Sequence, residues 1–175
     1  ENRLMKTYNE TKLAKELIRF PTIKTEDKGI MKFLSKKLTA IGFKCRIIKS
    51  KGSGSKSALN LYARYGKSKP HIMYLGHTDV VANLDNWKLP PFKAVVRKGY
   101  LNGRGAQDMK GSIACWISAV SNFVKYNKFK GSISIIISAD EETTGYGCPA
   151  IMKYLRKKGE RIDFSIVGEP SSNKS

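Results

Sequence analysis

The stretch GSISIIISADEETTG (131–145) decides the fold. From Gly131 to Ala139 it carries four isoleucines and no charge. A short, unbroken run rich in β-branched residues and opened by a glycine is the pattern of a strand covered on both faces. The run ends abruptly in three acids, Asp140, Glu141 and Glu142. Two other stretches are built alike. HIMYLG (71–76) runs into His77 and Asp79, and DFSIVG (163–168) runs into Glu169. All three read as buried strands, each ending in a side chain able to hold a metal.

Helical periodicity fills the spaces around them. Leu13, Leu17, Ile18 and Phe20 form an apolar stripe over about residues 7–20, which Pro21 ends. A second helix is expected over about 27–40, with Gly42 as its C-terminal stop. A third runs from Met109 to Tyr126, and a fourth covers about 145–158. FKCRII (43–48) and ALNLYARY (58–65) read as further strands, joined by a flexible Gly/Ser loop over 49–57. KAVVRKGYLNG (93–103) reads as a hairpin turning at Lys98 and Gly99. Alternating strands and helices of this kind predict a three-layer α/β sandwich on a largely parallel or mixed sheet. In such sheets ligands bind beyond the carboxyl ends of the strands, which is where these acids fall.

Charge sharpens the contrast. The 175 residues include 33 Lys+Arg against 14 Asp+Glu, a formal net charge of +19. The basic residues are mostly lysine and are spread along the chain, with no zinc finger, RNP-type motif or heptad array. That reads as a solvated surface and predicts no nucleic-acid partner. No apolar run approaches the roughly 20 residues of a membrane helix, so no membrane partner is expected either. The first residues, ENRLMKTYNE, hold no secretory apolar segment. Cys45, Cys115 and Cys148 are isolated in sequence and read as buried thiols of a reducing compartment, so a cytoplasmic location is expected. Against this basic background, six of the 14 acids fall in four places: Asp79, Asp108, Asp140 with Glu141 and Glu142, and Glu169.

One imidazole among several carboxylates suits Zn²⁺, Co²⁺ or Mn²⁺ better than metals that prefer thiolates. His77 and Asp79 are two apart on an extended chain, so their side chains point the same way and Asp79 can accept the second ring N–H. Of the adjacent Glu141 and Glu142, one can bind metal while the other faces the reacting water. Asp108, in GRGAQDMKG (103–111) before a helix, can offer both oxygens and bridge two ions. Three ionised ligands against two divalent ions leave one positive charge over, which favours a hydroxide nucleophile. His71, Trp87, Trp116 and Tyr146 read as structural or packing residues.

GHTDVV (76–81), GRGAQDMKG (103–111), SADEETTG (138–145) and VGEPSS (167–172) occur in the order and spacing of four signature stretches of a known family. The sequence resembles the dinuclear metallopeptidases that include succinyl-diaminopimelate desuccinylase, acetylornithine deacetylase, aminoacylase and carboxypeptidase G. The W..PPF stretch WKLPPF (87–92) is most similar to the desuccinylase branch, with acetylornithine deacetylase or another deacylase or carboxypeptidase of the family as the alternative.

The resemblance implies a zinc-exopeptidase-like catalytic domain that hydrolyses a linear amide. The substrate would be a small dicarboxylate amide, N-succinyl-diaminopimelate, in lysine and peptidoglycan precursor synthesis. It implies that His77 and Glu169 hold one zinc, Asp108 bridges, and Glu142 holds the second. Glu141 would act as general base and acid, Asp79 would orient His77, and the peptide after Asp108 would be cis.

The family also draws a histidine for the second zinc, and an arginine and a histidine for the substrate, from later segments that do not occur here. Residues 1–175 are therefore expected to be the N-terminal portion of a catalytic domain, without the lid or dimerisation domain. The expectation is at most one tightly held ion, little activity alone, and a homodimer for the full-length family member. A non-catalytic association fragment is the alternative from another class.

Overall fold

The computed structural model describes residues 6–52, 57–83, 85 and 87–171. A mixed five-stranded sheet forms its middle layer. β1 (Lys44–Lys51), β2 (Ser57–Gly66), β3 (His71–His77), β6 (Ser132–Ser138) and β7 (Phe164–Val167) lie in the order β1-β2-β6-β3-β7. β1 with β2 and β2 with β6 are antiparallel, whereas β6, β3 and β7 are parallel. The parallel trio points its carboxyl ends the same way, and each of those ends carries acids or a histidine. β4 (Val95–Arg97) and β5 (Tyr100–Asn102) form the small hairpin expected around Lys98 and Gly99.

Period-two alternation along β6 feeds two cores. Ile133, Ile135 and Ile137 face α1 (Glu10–Ile18), α2 (Ile30–Thr39) and α3 (Gly111–Tyr126). Leu13, Leu17, Leu34, Ile113 and Ile117 complete that cluster. Ile136 faces the other way, joining Tyr62 and Met73 against Ile151 and Leu155 of α4 (Gly147–Lys157). Every residue of β6 is buried, its three serines included, as a strand covered on both faces requires. The amphipathic stripes of the four helices thus settle on opposite sides of one sheet, giving three layers.

Several expectations need correction. DFSIVG is not a buried strand. All four residues of β7 are exposed, with Phe164 at 63%, because β7 is an edge strand and pairs only with β3 among the described residues. Apolar sequence reports what a strand can bury, not whether a neighbour covers it. The loop expected over 49–57 is shorter at both ends, since β1 continues to Lys51 and β2 begins at Ser57; residues 53–56 lie outside the described residues. The cysteines are free but none is buried, and Cys115 is exposed on the outer side of α3. Tyr146 is also half exposed. No helix among the described residues is long and apolar enough to cross a membrane.

Candidate metal centre

His77 closes β3 at the middle of the sheet edge and is 1% exposed. Its Nδ1 lies 3.1 Å from the carbonyl oxygen of Asp79 and 3.4 Å from Asp79 Oδ1. Both neighbours are acceptors, so Nδ1 carries the hydrogen and Nε2 is the nitrogen left for a ligand. Nε2 faces carboxylates from three directions: Asp108 Oδ1 at 3.0 Å, Glu169 Oε1 at 3.4 Å and Glu141 Oε2 at 3.9 Å. Burial by itself would lower the pKa of His77, but the carboxylates of Asp79, Glu169 and Asp108 outweigh it and raise it to about 9.

The turn after β6 divides its three acids between two tasks. Asp140 is fully buried and points away from the cluster. It accepts hydrogen bonds from Thr144 Oγ1 (2.7 Å), the amide of Tyr146 (2.8 Å) and the amide of Gly147 (2.9 Å). It thereby caps the start of α4, and the six acids grouped in the sequence converge as five. Glu141 and Glu142 are held by Asp79. Their backbone amides donate to Asp79 Oδ1 at 3.1 Å and Oδ2 at 2.8 Å. The carboxylate expected to orient His77 therefore spends its oxygens chiefly on the Glu141–Glu142 turn, while its own carbonyl takes the histidine hydrogen.

Asp108 lies in a tight turn over Ala106–Lys110 that leads into α3, and the Asp108–Met109 peptide is cis. Met109 is buried beneath β3, where its sulfur receives the amide of His77 at 3.2 Å. Glu169 follows β7 through Gly168, at which a Cβ would lie 2.0 Å from the hydroxyl of Tyr74. Only glycine allows this approach, and the Gly168 carbonyl is then fixed by Ser112 Oγ at 2.8 Å. Burial and the nearby Asp108 carboxylate both push Glu142 and Glu169 above the ordinary carboxylate range, with His77 pulling the other way.

A buried lysine supports this arrangement from below. Lys110 is fully buried and its Nζ donates to the carbonyl of Phe20 at 2.8 Å. Burial lowers its pKa to about 7, against the attraction of Asp79. The Phe20–Lys24 segment is in turn tied to the loop after β3. Thr22 Oγ1 donates to the Thr78 carbonyl at 2.5 Å, the Val80 amide donates to Thr22, and the Lys24 amide donates to Val80.

The donor set fits a divalent cation. His77, Asp108 and Glu142 offer ligand atoms within 4.8 Å of one another, and so do His77, Glu141 and Glu169. A hydrogen fixed on Nδ1, an Nε2 turned into the carboxylates and carboxyls pushed upward by crowding are the features of a cluster short of positive charge.

Residues 73–175 match the model of peptidase family M20/M25/M40. The chain belongs to that family. Among M20 relatives, it is 52% identical over 172 residues to the succinyl-diaminopimelate desuccinylase of Pelagibacter ubique, covering 96% of this chain and 45% of that protein. It is 42% identical over 167 residues to the enzyme of the same name from Ehrlichia chaffeensis, covering 93% of this chain and 43% of that one. The chain thus spans less than half the length of these curated relatives. Its fold is shared with human carnosine dipeptidase 1 (TM-score 0.80, 22% identity, 93% of this chain and 38% of that chain). It is shared too with the M20 metallo-carboxypeptidase Sso-CP2 of Sulfolobus solfataricus (TM-score 0.77, 20% identity, 94% and 38%). The matched residues include the whole cluster: His77, Asp79, Asp108, Glu141, Glu142 and Glu169.

His71 is structural, its Nδ1 2.8 Å from the Arg161 carbonyl and its Nε2 2.8 Å from Ser134 Oγ. Two residues at the site were not singled out by sequence reasoning. Lys110 is the first, and its signal is a single cation set between Met109 and a helix that carries no other charge before Lys125. Arg104 is the second, set between two glycines four residues before Asp108. Trp87, read as a packing residue, lies under the Arg104 guanidinium at 5.1 Å instead.

Proposed function

We propose that the chain is the metal-binding section of a succinyl-diaminopimelate desuccinylase, which hydrolyses N-succinyl-diaminopimelate to succinate and diaminopimelate in lysine and peptidoglycan precursor synthesis. The observation that carries this reading is the meeting of His77 Nε2 with Asp108, Glu141 and Glu169 in a chain 52% identical to a protein of that name. His77, Asp108, Glu142 and Glu169 would hold zinc, with cobalt an acceptable substitute for the same donors. The chemistry such a metal supplies is Lewis-acid polarisation of a carbonyl and acidification of water. Glu141, 54% exposed at the rim, takes the proton of the attacking water and returns it to the leaving amine. Asp79 fixes the hydrogen on His77 Nδ1 and, through two amides, fixes the turn that presents Glu141 and Glu142. The amide bond breaks between acyl carbon and nitrogen; hydroxide ends on the acyl carbon and the proton on nitrogen.

The relatives are more than twice as long as this chain. We therefore take residues 1–175 as the first section of a catalytic domain whose later portion supplies the remaining metal and substrate contacts, in a cytoplasmic homodimer. By itself the chain binds one ion tightly and turns over little substrate. The test joins this chain to the segment that follows the matched region in the Pelagibacter ubique relative. The hybrid is expected to release succinate from N-succinyl-diaminopimelate in preference to acetate from N-acetylornithine. Glu141→Gln should reduce that rate by about 10²–10⁴-fold with zinc still bound. Preference for the acetyl substrate, or full activity in Glu141→Gln, overturns the reading.

A further inference from the structure

A cavity of about 600 Å³ opens beside the cluster, lined by Asp108 and Glu142 together with Trp87, Val80 and Arg104. Arg104 is the single cation among its lining residues. Its guanidinium carbon lies over the Trp87 ring, 5.1 Å from the centroid, and Nη2 donates to the carbonyl of Asn83. Nε is buried without a hydrogen-bond partner, and no carboxylate pairs with this side chain among the described residues. A guanidinium held over an indole ring, anchored through one nitrogen and with no carboxylate partner among the described residues, suits a planar anion.

The backbone beneath it is equally constrained. Gly105 has φ +79°, and a Cβ there would lie 2.9 Å from Val80 Cγ1. The Arg104 amide donates to the Pro91 carbonyl at 2.7 Å. The side chain therefore rises from a fixed point four residues from Asp108.

We infer that Arg104, braced by Trp87, binds a substrate carboxylate remote from the scissile amide and so selects amides that carry one. This rests on the hydrolase reading above and deepens it. The carboxylate comes either from the acyl chain or from the amino-acid portion, and each source has its own probe.

The experiment uses the chain with Trp116→Phe, which leaves Trp87 as its one tryptophan, loaded with zinc. Trp87 fluorescence is followed during titration with succinate against butyrate, and with diaminopimelate against lysine. In each pair only the first compound has the extra carboxylate. The expected result is that one pair differs by about 10–100-fold in affinity. That ratio falls to near unity in Arg104→Gln and is partly regained in Arg104→Lys, which keeps the charge but not the fork. Zinc affinity stays unchanged in both variants. Ratios that survive Arg104→Gln with zinc bound overturn the inference and leave the hydrolase reading standing. Failure of the unaltered chain to bind zinc overturns both.

Discussion

Replacing Asp79 by asparagine changes one oxygen to an NH₂ group and leaves the volume intact, yet it should damage the whole centre. The Asp79 carboxylate is fully buried and accepts the amides of Glu141 and Glu142 at 3.1 and 2.8 Å. Hydrogen bonds to a charged acceptor contribute about 1.5–3 kcal/mol each. In Asp79→Asn one oxygen can keep one amide, while the NH₂ group meets the other donor to donor. One such bond is lost and one buried N–H is stranded, a cost of about 2–4 kcal/mol. Lys110 limits the loss, because with its pKa already near 7 it can shed its proton at little cost when the nearby negative charge goes. Against a domain stability of about 5–15 kcal/mol this is a large fraction, and urea unfolding of the metal-free chain would resolve it. The same change frees the turn that carries Glu141 and Glu142 and weakens the acceptor environment of His77 Nδ1. Zinc affinity, followed by competition with a chromophoric chelator, should then drop by about 10–100-fold. A stability loss below about 1 kcal/mol together with zinc affinity within twofold of the unaltered chain would show that Asp79 does not organise the centre.

Asp140→Ala supplies the contrast. It removes three strong acceptor contacts at the start of α4 and should cost about 3–5 kcal/mol in urea unfolding, while lowering zinc affinity less than Asp79→Asn does. Equal damage to zinc binding by both variants would contradict the separate tasks assigned to these two carboxylates. Zinc binding should also be linked to a proton. His77 titrates near pH 9 in the metal-free protein and must be neutral to bind, so between about pH 6.5 and 8 close to one proton is released per ion. Apparent affinity should climb about tenfold per pH unit and level off above pH 9. Calorimetry in buffers of different ionisation enthalpy measures this, and identical heats in all buffers would refute it. Stability is a poorer readout. The raised His77 pKa stabilises the metal-free fold below about pH 6.5, and that contribution is lost as pH rises through 9. The lowered Lys110 pKa acts oppositely, with stability present above 10.5 and lost as pH falls through about 7.

Much of this molecule is legible without coordinates because its strands are extreme. β6 carries no charge, only serines among its isoleucines, so its sequence suits the centre of a covered sheet. With β6 placed, His77 at the end of β3 and Glu141 and Glu142 after β6 must lie at one edge. What sequence leaves open depends on neighbours or on the rotation of a turn. DFSIVG is as apolar as a buried strand, but no second strand flanks it among the described residues. Asp140, Glu141 and Glu142 are consecutive acids in the sequence, and only the backbone of the turn decides which of them is drawn under α4. Asp79 is legible as a partner of His77 by its spacing, but its grip on two amides 62 and 63 residues away is a property of the folded sheet edge. A buried lysine such as Lys110 runs against ordinary residue preference and surfaces only when the Phe20 carbonyl is found at its tip.

The exposed β7 gives the basic composition a meaning in solution. Phe164, Ile166 and Val167 line a strand whose outer edge has no partner among the described residues, the kind of surface on which two copies pair edge to edge. Each copy carries +19, and such molecules repel before their edges can meet. That repulsion reaches about 30 Å at 0.01 M salt but only about 8 Å at 0.15 M. The colloidal behaviour of the chain is consequently tied to ionic strength: lysines remote from the metal centre keep this apolar strand from finding another.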